Sequence, residues 1–455
     1  MNKAILDYFR CPEGFAEFSL AGELSREAGF FRFGADTICY GQGTVGRRHS
    51  RVFDGLYDVS RDVSTFNCRP QIPFDPTQVI ENLRLERYVR SAGGSETQPA
   101  SRTLLGRAYY FARKFLPDSF RRGIQKTYFR GWERHSFPRW PVDTTVESLC
   151  RSLLALSMKV RGAECVPFIW FWPDGAEGCV VMTHDVETAV GRDHCPAVMD
   201  LDESFNIKAS FQIVPEERYS ISQSFLDGIR SRGFEVGLQD LNHDGLLFSS
   251  REEFLRRARR INEYAKTFSA EGFRAAVLYR NLDWLSELEF SYDMSVPNVG
   301  HLEVQRGGCC TVMPYFIGHL VEIPLTTTQD YSLFTVLNDW SIGVWKRQID
   351  LILENHGLMS FIVHPDYVIE KRPRKTFVEL LSYISRLREE RNLWQALPRD
   401  VNEWWRQRSQ MKLVRDGDSW KIEGAGAERA RIAYARLQGE NLVYEIASAA
   451  QGSDS

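Results

Sequence analysis

No stretch of this 455-residue chain stays apolar for the roughly 18 residues that a membrane-spanning helix requires. The opening Met-Asn-Lys-Ala-Ile-Leu-Asp-Tyr-Phe-Arg meets its first charges too early to hold the apolar core of a secretion signal. Net charge is small: 57 Lys and Arg stand against 60 Asp and Glu, a balance of −3 that gives no global reason to expect a nucleic-acid partner. No C-x-x-C pair occurs among the nine cysteines, which are scattered and odd in number, and adjacent Cys309-Cys310 makes a poor zinc clip. Buried thiols in a reducing cytoplasm are the expectation.

What is present suits a soluble globular protein, with 43% hydrophobic and 13% aromatic residues and length for two or three domains. The pattern divides into an N-terminal α+β region (1–95), a basic linker and helical region (96–165), an alternating α/β domain (166–400) and a C-terminal piece (401–455). In the first region, Pro76-Thr77-Gln78-Val79 opens a helix, with proline tolerated in the first turn. Gly41-Gln42-Gly43-Thr44-Val45-Gly46 matches a dinucleotide-binding pattern, yet Arg47-Arg48-His49-Ser50 opens no helix after it, so it reads as a loop. Small and polar residues from Ser91 to Ser101 form a linker. From Arg102 to Arg134 nine Lys or Arg stand against Asp118 and Glu133, interleaved with eight aromatics that include Phe111, Phe115, Phe129 and Trp132. That segment reads either as an amphipathic helix on an anionic membrane surface or as a helix packed on the main domain. The location expected is therefore cytoplasmic, with membrane contact through 102–134 as the one exception considered.

From 179 onward strands and helices alternate. Strands are expected at 179–183, 208–214, 234–238, 273–278, 290–296, 320–325 and 359–363, and helices at 219–232, 250–268, 341–355 and 373–389. Such alternation argues for parallel strands with helical crossovers, hence a barrel or a doubly wound sheet. After Trp404-Trp405 three short strands divided by glycine turns form a small antiparallel appendix.

Polar groups gather where these strands end, which is where parallel sheets carry their chemistry. Val180-Val181-Met182-Thr183 runs into His184-Asp185-Val186-Glu187, and strand 234–238 runs into Gln239-Asp240-Leu241-Asn242-His243. Arg274 lies near the start of its strand, Asp293 lies within another, and Met359 to Val363 runs into His364-Pro365-Asp366. His184, His243 and His364, three of the nine histidines, stand at strand ends of one domain, which points to a shared site.

Taken in order, Thr183-His184-Asp185-Val186-Glu187, Gln239 to His243, Gly272-Phe273-Arg274, Asp293 and Ile362-Val363-His364 resemble the five motifs of the polysaccharide deacetylases, carbohydrate esterase family four, of the nodulation-deacetylase type. The resemblance spans about 175–370 and implies a distorted (β/α) barrel that hydrolyses N-acetyl groups with a divalent metal, zinc above others. It implies Asp185 as general base, His364 as general acid, Arg274 holding Asp185, and Asp293 orienting His364. Metal would sit on Glu187, His243 and residue 239. The chain departs from the family at Gln239, where the first of two histidines four apart should stand, and an amide oxygen is a weaker zinc ligand than imidazole. It departs again at Asp185 and Glu187, which replace adjacent aspartates. The function implied is deacetylation of an amino sugar in a polysaccharide or a lipid-linked oligosaccharide of a cell-surface pathway. The other reading is an inactive barrel of the same type that binds carbohydrate or a partner protein.

Overall fold

The computed structural model describes residues 2–91, 129–439 and 441–447. The linker read over 91–101, Ser91 apart, and most of the basic segment, 102–128, lie outside them. The chain divides into two compact units, one made of Met1–Ala92, Thr145–Ala176 and Glu403–Ser455, the other of Gly93–Thr144 and Glu177–Asn402.

The first unit is α+β. Asp75 accepts a hydrogen bond from the Thr77 amide (2.9 Å) and starts a helix over Pro76–Arg84, with proline in the first turn as expected. The helix Thr145–Arg161 buries Leu149, Leu153, Leu154 and Met158. The strands Ile432–Gln438 and Asn441–Ile446 pair antiparallel and take in a third, Cys165–Ile169, which the sequence pattern had not marked as a strand. The hairpin Lys412–Asp416 with Ser419–Glu423 forms its own two-stranded sheet. Arg408 is buried with main-chain carbonyls as its acceptors: Ile169 at 2.7 Å, Trp170 at 2.8 Å and Tyr8 at 2.9 Å. The glycine-rich loop after Gly41 is filled by Arg48, which donates to the Val45 carbonyl (2.7 Å) and occupies the space a side chain at residue 43 would need.

The second unit is the alternating domain. Its strands are β1 (Gly178–Val186), β2 (Ala209–Ile213), β3 (Glu235–Gln239), β4 (Gly272–Arg274), β5 (Tyr292–Asp293), β6 (Tyr315–Ile317), β7 (Leu320–Glu322), β8 (Leu358–Ile362) and β9 (Leu393–Gln395). They join in the order β6-β7-β5-β4-β3-β2-β1-β8, with β9 beside the first residues of β1. All pairs are parallel except β6 with β7. Helices α1 (Ala189–Ser204), α2 (Gln223–Ser231), α3 (Arg251–Thr267), α4 (Gly343–Leu353) and α5 (Lys371–Glu390) alternate with them along the chain. Every residue of β1 is buried, as its unbroken apolar run requires of a strand covered on both faces.

The barrel closes irregularly. Along the free side of β8, threonine hydroxyls take the place of a main-chain ladder. Thr326 Oγ1 donates to the Leu358 carbonyl (2.6 Å) and accepts from the Ser360 amide (3.0 Å), while Thr327 Oγ1 donates to the Ser360 carbonyl (2.7 Å). The distortion of the expected barrel resides in this seam. The strand expected over 273–278 stops at Arg274, because Val277 and Leu278 take φ of 53° and 50°, left-handed values no extended strand holds.

Candidate active site

Register decides which side chains meet. Asp185 pairs with Gln212, Gln212 with Gly237, and Gln239 with Arg274, so Asp185, Gln212, Gln239 and Arg274 share one face of the sheet. Arg274 is fully buried and donates to Asp185 Oδ1 (2.5 Å) and to Thr183 Oγ1 (2.8 Å). Without that counter-charge a carboxylate this deep would be expensive to hold ionised. Glu187 lies one residue past β1, its main chain fixed by Arg218 Nε donating to its carbonyl (2.9 Å).

The turn after β3 supplies the second part. Asp240 and His243 take φ of 52° and 54°, left-handed values that fold the chain back on itself. Arg257 on α3 clamps this turn, donating to Asp244 Oδ1 (2.7 Å), Asp244 Oδ2 (2.8 Å) and Asn242 Oδ1 (3.0 Å). His243 Nε2 is thereby set 2.7 Å from Glu187 Oε1. Gln239 Nε2 donates to both Asp185 Oδ2 and Glu187 Oε1, each at 3.1 Å.

The third part follows β8. His364 Nδ1 lies 2.6 Å from Asp330 Oδ1, and the His364 amide donates to Asp330 Oδ2 (2.7 Å). Its Nε2 faces Glu187 Oε1 at 3.5 Å, and the ring of Tyr367 stacks on it at 4.8 Å between centroids. Burial opposes charge on His364, but Asp330 and then Glu187 outweigh it and hold the imidazole well above its ordinary pKa of 6.5. Burial likewise works against an ionised Glu187, and His243 and His364 outweigh it, leaving the carboxyl well below its ordinary value of 4.5. Glu187 Oε1 is the common point of His243, His364 and Gln239.

Oxygen or nitrogen atoms of Asp185, Glu187 and His364 all lie within 4.8 Å of one another, a cluster able to hold a metal ion. The donor chemistry suits a divalent cation: the carboxylates of Asp185, Glu187 and Asp330 stand against Arg274 and the protonated His364, and His243 adds an imidazole nitrogen. Gln239 has a second, buried face to offer, since its Oε1 has no hydrogen-bond partner.

Six of the eight side chains singled out from the sequence meet here: Asp185, Glu187, Gln239, His243, Arg274 and His364. Asp293 does not. It pairs in register with Phe273, one residue from Arg274, and so points to the opposite face, where it bonds Ser295 Oγ (2.7 Å). The carboxylate that orients His364 is Asp330, eight residues beyond the end of β7 in a stretch with no strand pattern to flag it. His184 is also off the site: adjacent to Asp185 in an extended strand, it faces the other way, toward Asp202. Of the aromatic side chains that could bed a sugar, Tyr279 and Tyr315 are buried in the core, whereas Tyr367 lies against His364. In the basic segment, Phe129 is buried and Trp132 packs edge-on against Trp140 (4.7 Å).

Together the curled parallel sheet and its carboxylate–histidine cluster define an α/β barrel with a polar pocket at the carboxyl ends of its strands. No family model matches the chain, and no curated protein matches it. Among solved structures it is similar to a protein from Mycobacterium smegmatis described as a polysaccharide deacetylase, at 18% identity over 52% of this chain and 93% of that one, with a TM-score of 0.43. It is also similar to a protein from Bordetella bronchiseptica described as a polysaccharide deacetylase involved in O-antigen biosynthesis, at 19% identity over 51% and 86% of the two chains, TM-score 0.32. A CE4 family pseudoenzyme from Bacillus anthracis matches at 14% identity over 49% and 65%, TM-score 0.29. Overlaps this loose leave the functional reading to the side chains themselves.

Proposed function

We propose that the chain is a metal-dependent hydrolase that removes N-acetyl groups from an amino sugar of a polysaccharide or lipid-linked oligosaccharide. The observation that carries this reading is the pair of fixed groups about Glu187: Asp185 pinned by Arg274, and His364 pinned by Asp330. Amide hydrolysis needs a base for the attacking water and an acid for the departing amine. Arg274 occupies Asp185 Oδ1, whereas Oδ2 accepts only the neutral amide of Gln239, so a water that displaced that amide could give its proton to Oδ2. His364 presents Nε2 while Asp330 takes Nδ1–H, the tautomer and charge state that hand a proton to the leaving nitrogen. Glu187 and His243 would hold the cation, joined by the oxygen of Gln239 once its amide turns to face Glu187 with Oε1 in place of Nε2. When bound, it supplies Lewis acidity toward the acetyl carbonyl and lowers the pKa of water. A cytoplasmic enzyme of this kind would meet a lipid-linked substrate through the basic segment 102–134, and its binding to anionic vesicles would fall with added salt.

One observation favours the second reading, a metal-free barrel that binds carbohydrate or a partner protein: Gln239 Nε2 donates to both carboxylates between which the cation would lie. Metal analysis of the purified chain, with acetate release from N-acetylated oligosaccharides, separates the two. The hydrolase reading expects bound metal, acetate release that a chelator stops, and tighter zinc binding in Gln239→His. Absence of metal and of acetate release, both in the wild type and in Gln239→His with added zinc, would establish the binding module instead.

A further inference from the structure

We infer that His184 and Asp202 form a positioning pair that fixes where His364 leaves its strand relative to Asp185. The inference deepens the reaction proposed above and rests on that reading. His184 is fully buried on the face of β1 opposite Asp185, between the rings of Phe211 (4.9 Å) and Phe377 (5.9 Å). Its Nδ1 lies 2.9 Å from the Val363 carbonyl, which can only accept, so Nδ1 carries a proton. Its Nε2 lies 2.8 Å from Asp202 Oδ2 on α1.

Position gives this arrangement its meaning. The ladder between β1 and β8 ends with the Val363 amide donating to the Thr183 carbonyl (3.0 Å). At the carbonyl of the same residue the His184 ring takes over and holds the peptide that leads directly into His364. The ring thus joins, within one residue on each strand, the base Asp185 to the acid His364, while Asp202 ties the ring to the helix that follows β1. Asp202 is fully buried and its Oδ1 has no hydrogen-bond partner. A buried carboxylate with one side-chain contact contributes little net stability, and an apolar residue would fill the space between the two phenyl rings at lower desolvation cost. What an apolar residue cannot supply is direction at the Val363 carbonyl.

The test uses the full chain with His184→Phe and Asp202→Asn, read by steady-state acetate release and by NMR of the His364 ring. Phenylalanine fills the space but donates to nothing, and should lower kcat about 10- to 100-fold with KM within about twofold, the scale expected for a small misplacement of an acid group. The Nδ1–H resonance of His364 should shift or be lost to exchange. Asp202→Asn keeps an oxygen toward Nε2 and should show smaller changes of the same kind in both readouts. If His184→Phe keeps kcat within about twofold and leaves the His364 resonances unmoved while melting lower, the pair serves stability alone and the inference falls. Should that variant not fold, Asp202→Asn decides by the same two readouts. Should the wild type release no acetate, the hydrolase reading fails separately, and the His364 resonances alone decide whether the pair positions that ring.

Discussion

Replacing Asp330 with asparagine tests the site at its least exposed point. The Asp330 carboxylate is fully buried and accepts three hydrogen bonds, from the His364 amide at 2.7 Å, the Tyr331 amide at 2.7 Å and the His364 ring at 2.6 Å. Asparagine has one accepting oxygen. Two main-chain N–H groups, those of Tyr331 and His364, compete for that oxygen, and when it turns to the His364 amide the side-chain nitrogen is left facing Nδ1. The ring must then accept at Nδ1 and carry its proton on Nε2, which leaves it a neutral ring of the wrong tautomer. One charge-assisted bond is lost, roughly 1.5–3 kcal/mol of stability. Correct acid catalysis is lost too, on the order of 10²- to 10⁴-fold in kcat/KM. The sign of the pH dependence follows from His364 standing above its ordinary pKa of 6.5. The stabilisation it receives is complete below 6.5 and drains away as pH rises through the higher folded value. Urea unfolding should therefore show the widest gap between wild type and Asp330→Asn in mildly acidic buffer, narrowing as pH rises. Acetate release supplies the rate. Turnover within about threefold of wild type in Asp330→Asn, beside an inactive Asp185→Asn, would refute the assignment of Asp330 as the partner that aims the acid.

Arg274→Met should destabilise the chain by about 3–5 kcal/mol, because it leaves Asp185 buried without its counter-charge; a loss below 1 kcal/mol by urea unfolding would refute that role for Arg274. Glu187 stands well below its ordinary pKa of 4.5, so its contribution is present above 4.5 and lost as pH falls through the folded value. The stability gap between metal-free wild type and Glu187→Gln should thus be open at neutral pH and close on acidification, whereas a gap that does not move with pH would place the origin of the difference elsewhere.

The position of the pocket was legible because apolar strands of a parallel sheet advertise their ends: β1 ends in Asp185, β3 in Gln239, and β8 is followed two residues later by His364. The α/β alternation, and with it the barrel, followed from the same runs. What sequence left hidden was register. Asp293 and Arg274 sit on neighbouring strands, and only the pairing of Phe273 with Asp293 turns the two side chains to opposite faces. A shift of one residue would have reversed that. Asp330 was hidden for another reason. It belongs to the irregular stretch after β7, where neither a period of two nor of 3.6 marks a side chain as inward, and its aim is set by long-range contact with β8. Strand 165–169 was missed because its partner lies more than 260 residues later in the chain, beyond any local signal.

The threonine seam has a consequence for how the pocket can change. Three hydroxyl bonds fasten Thr326 and Thr327 to Leu358 and Ser360, and Asp330 follows three residues after the last of those threonines. The distance from seam to acid is too short for slack. The stretch from Tyr331 to Ile342, by contrast, leaves the seam behind before it reaches α4. Insertions and deletions in the later part of this stretch could therefore change its length without disturbing the imidazole–carboxylate pair. The seam works as a moulding line, separating a wall that must keep its dimensions from one that can be recast.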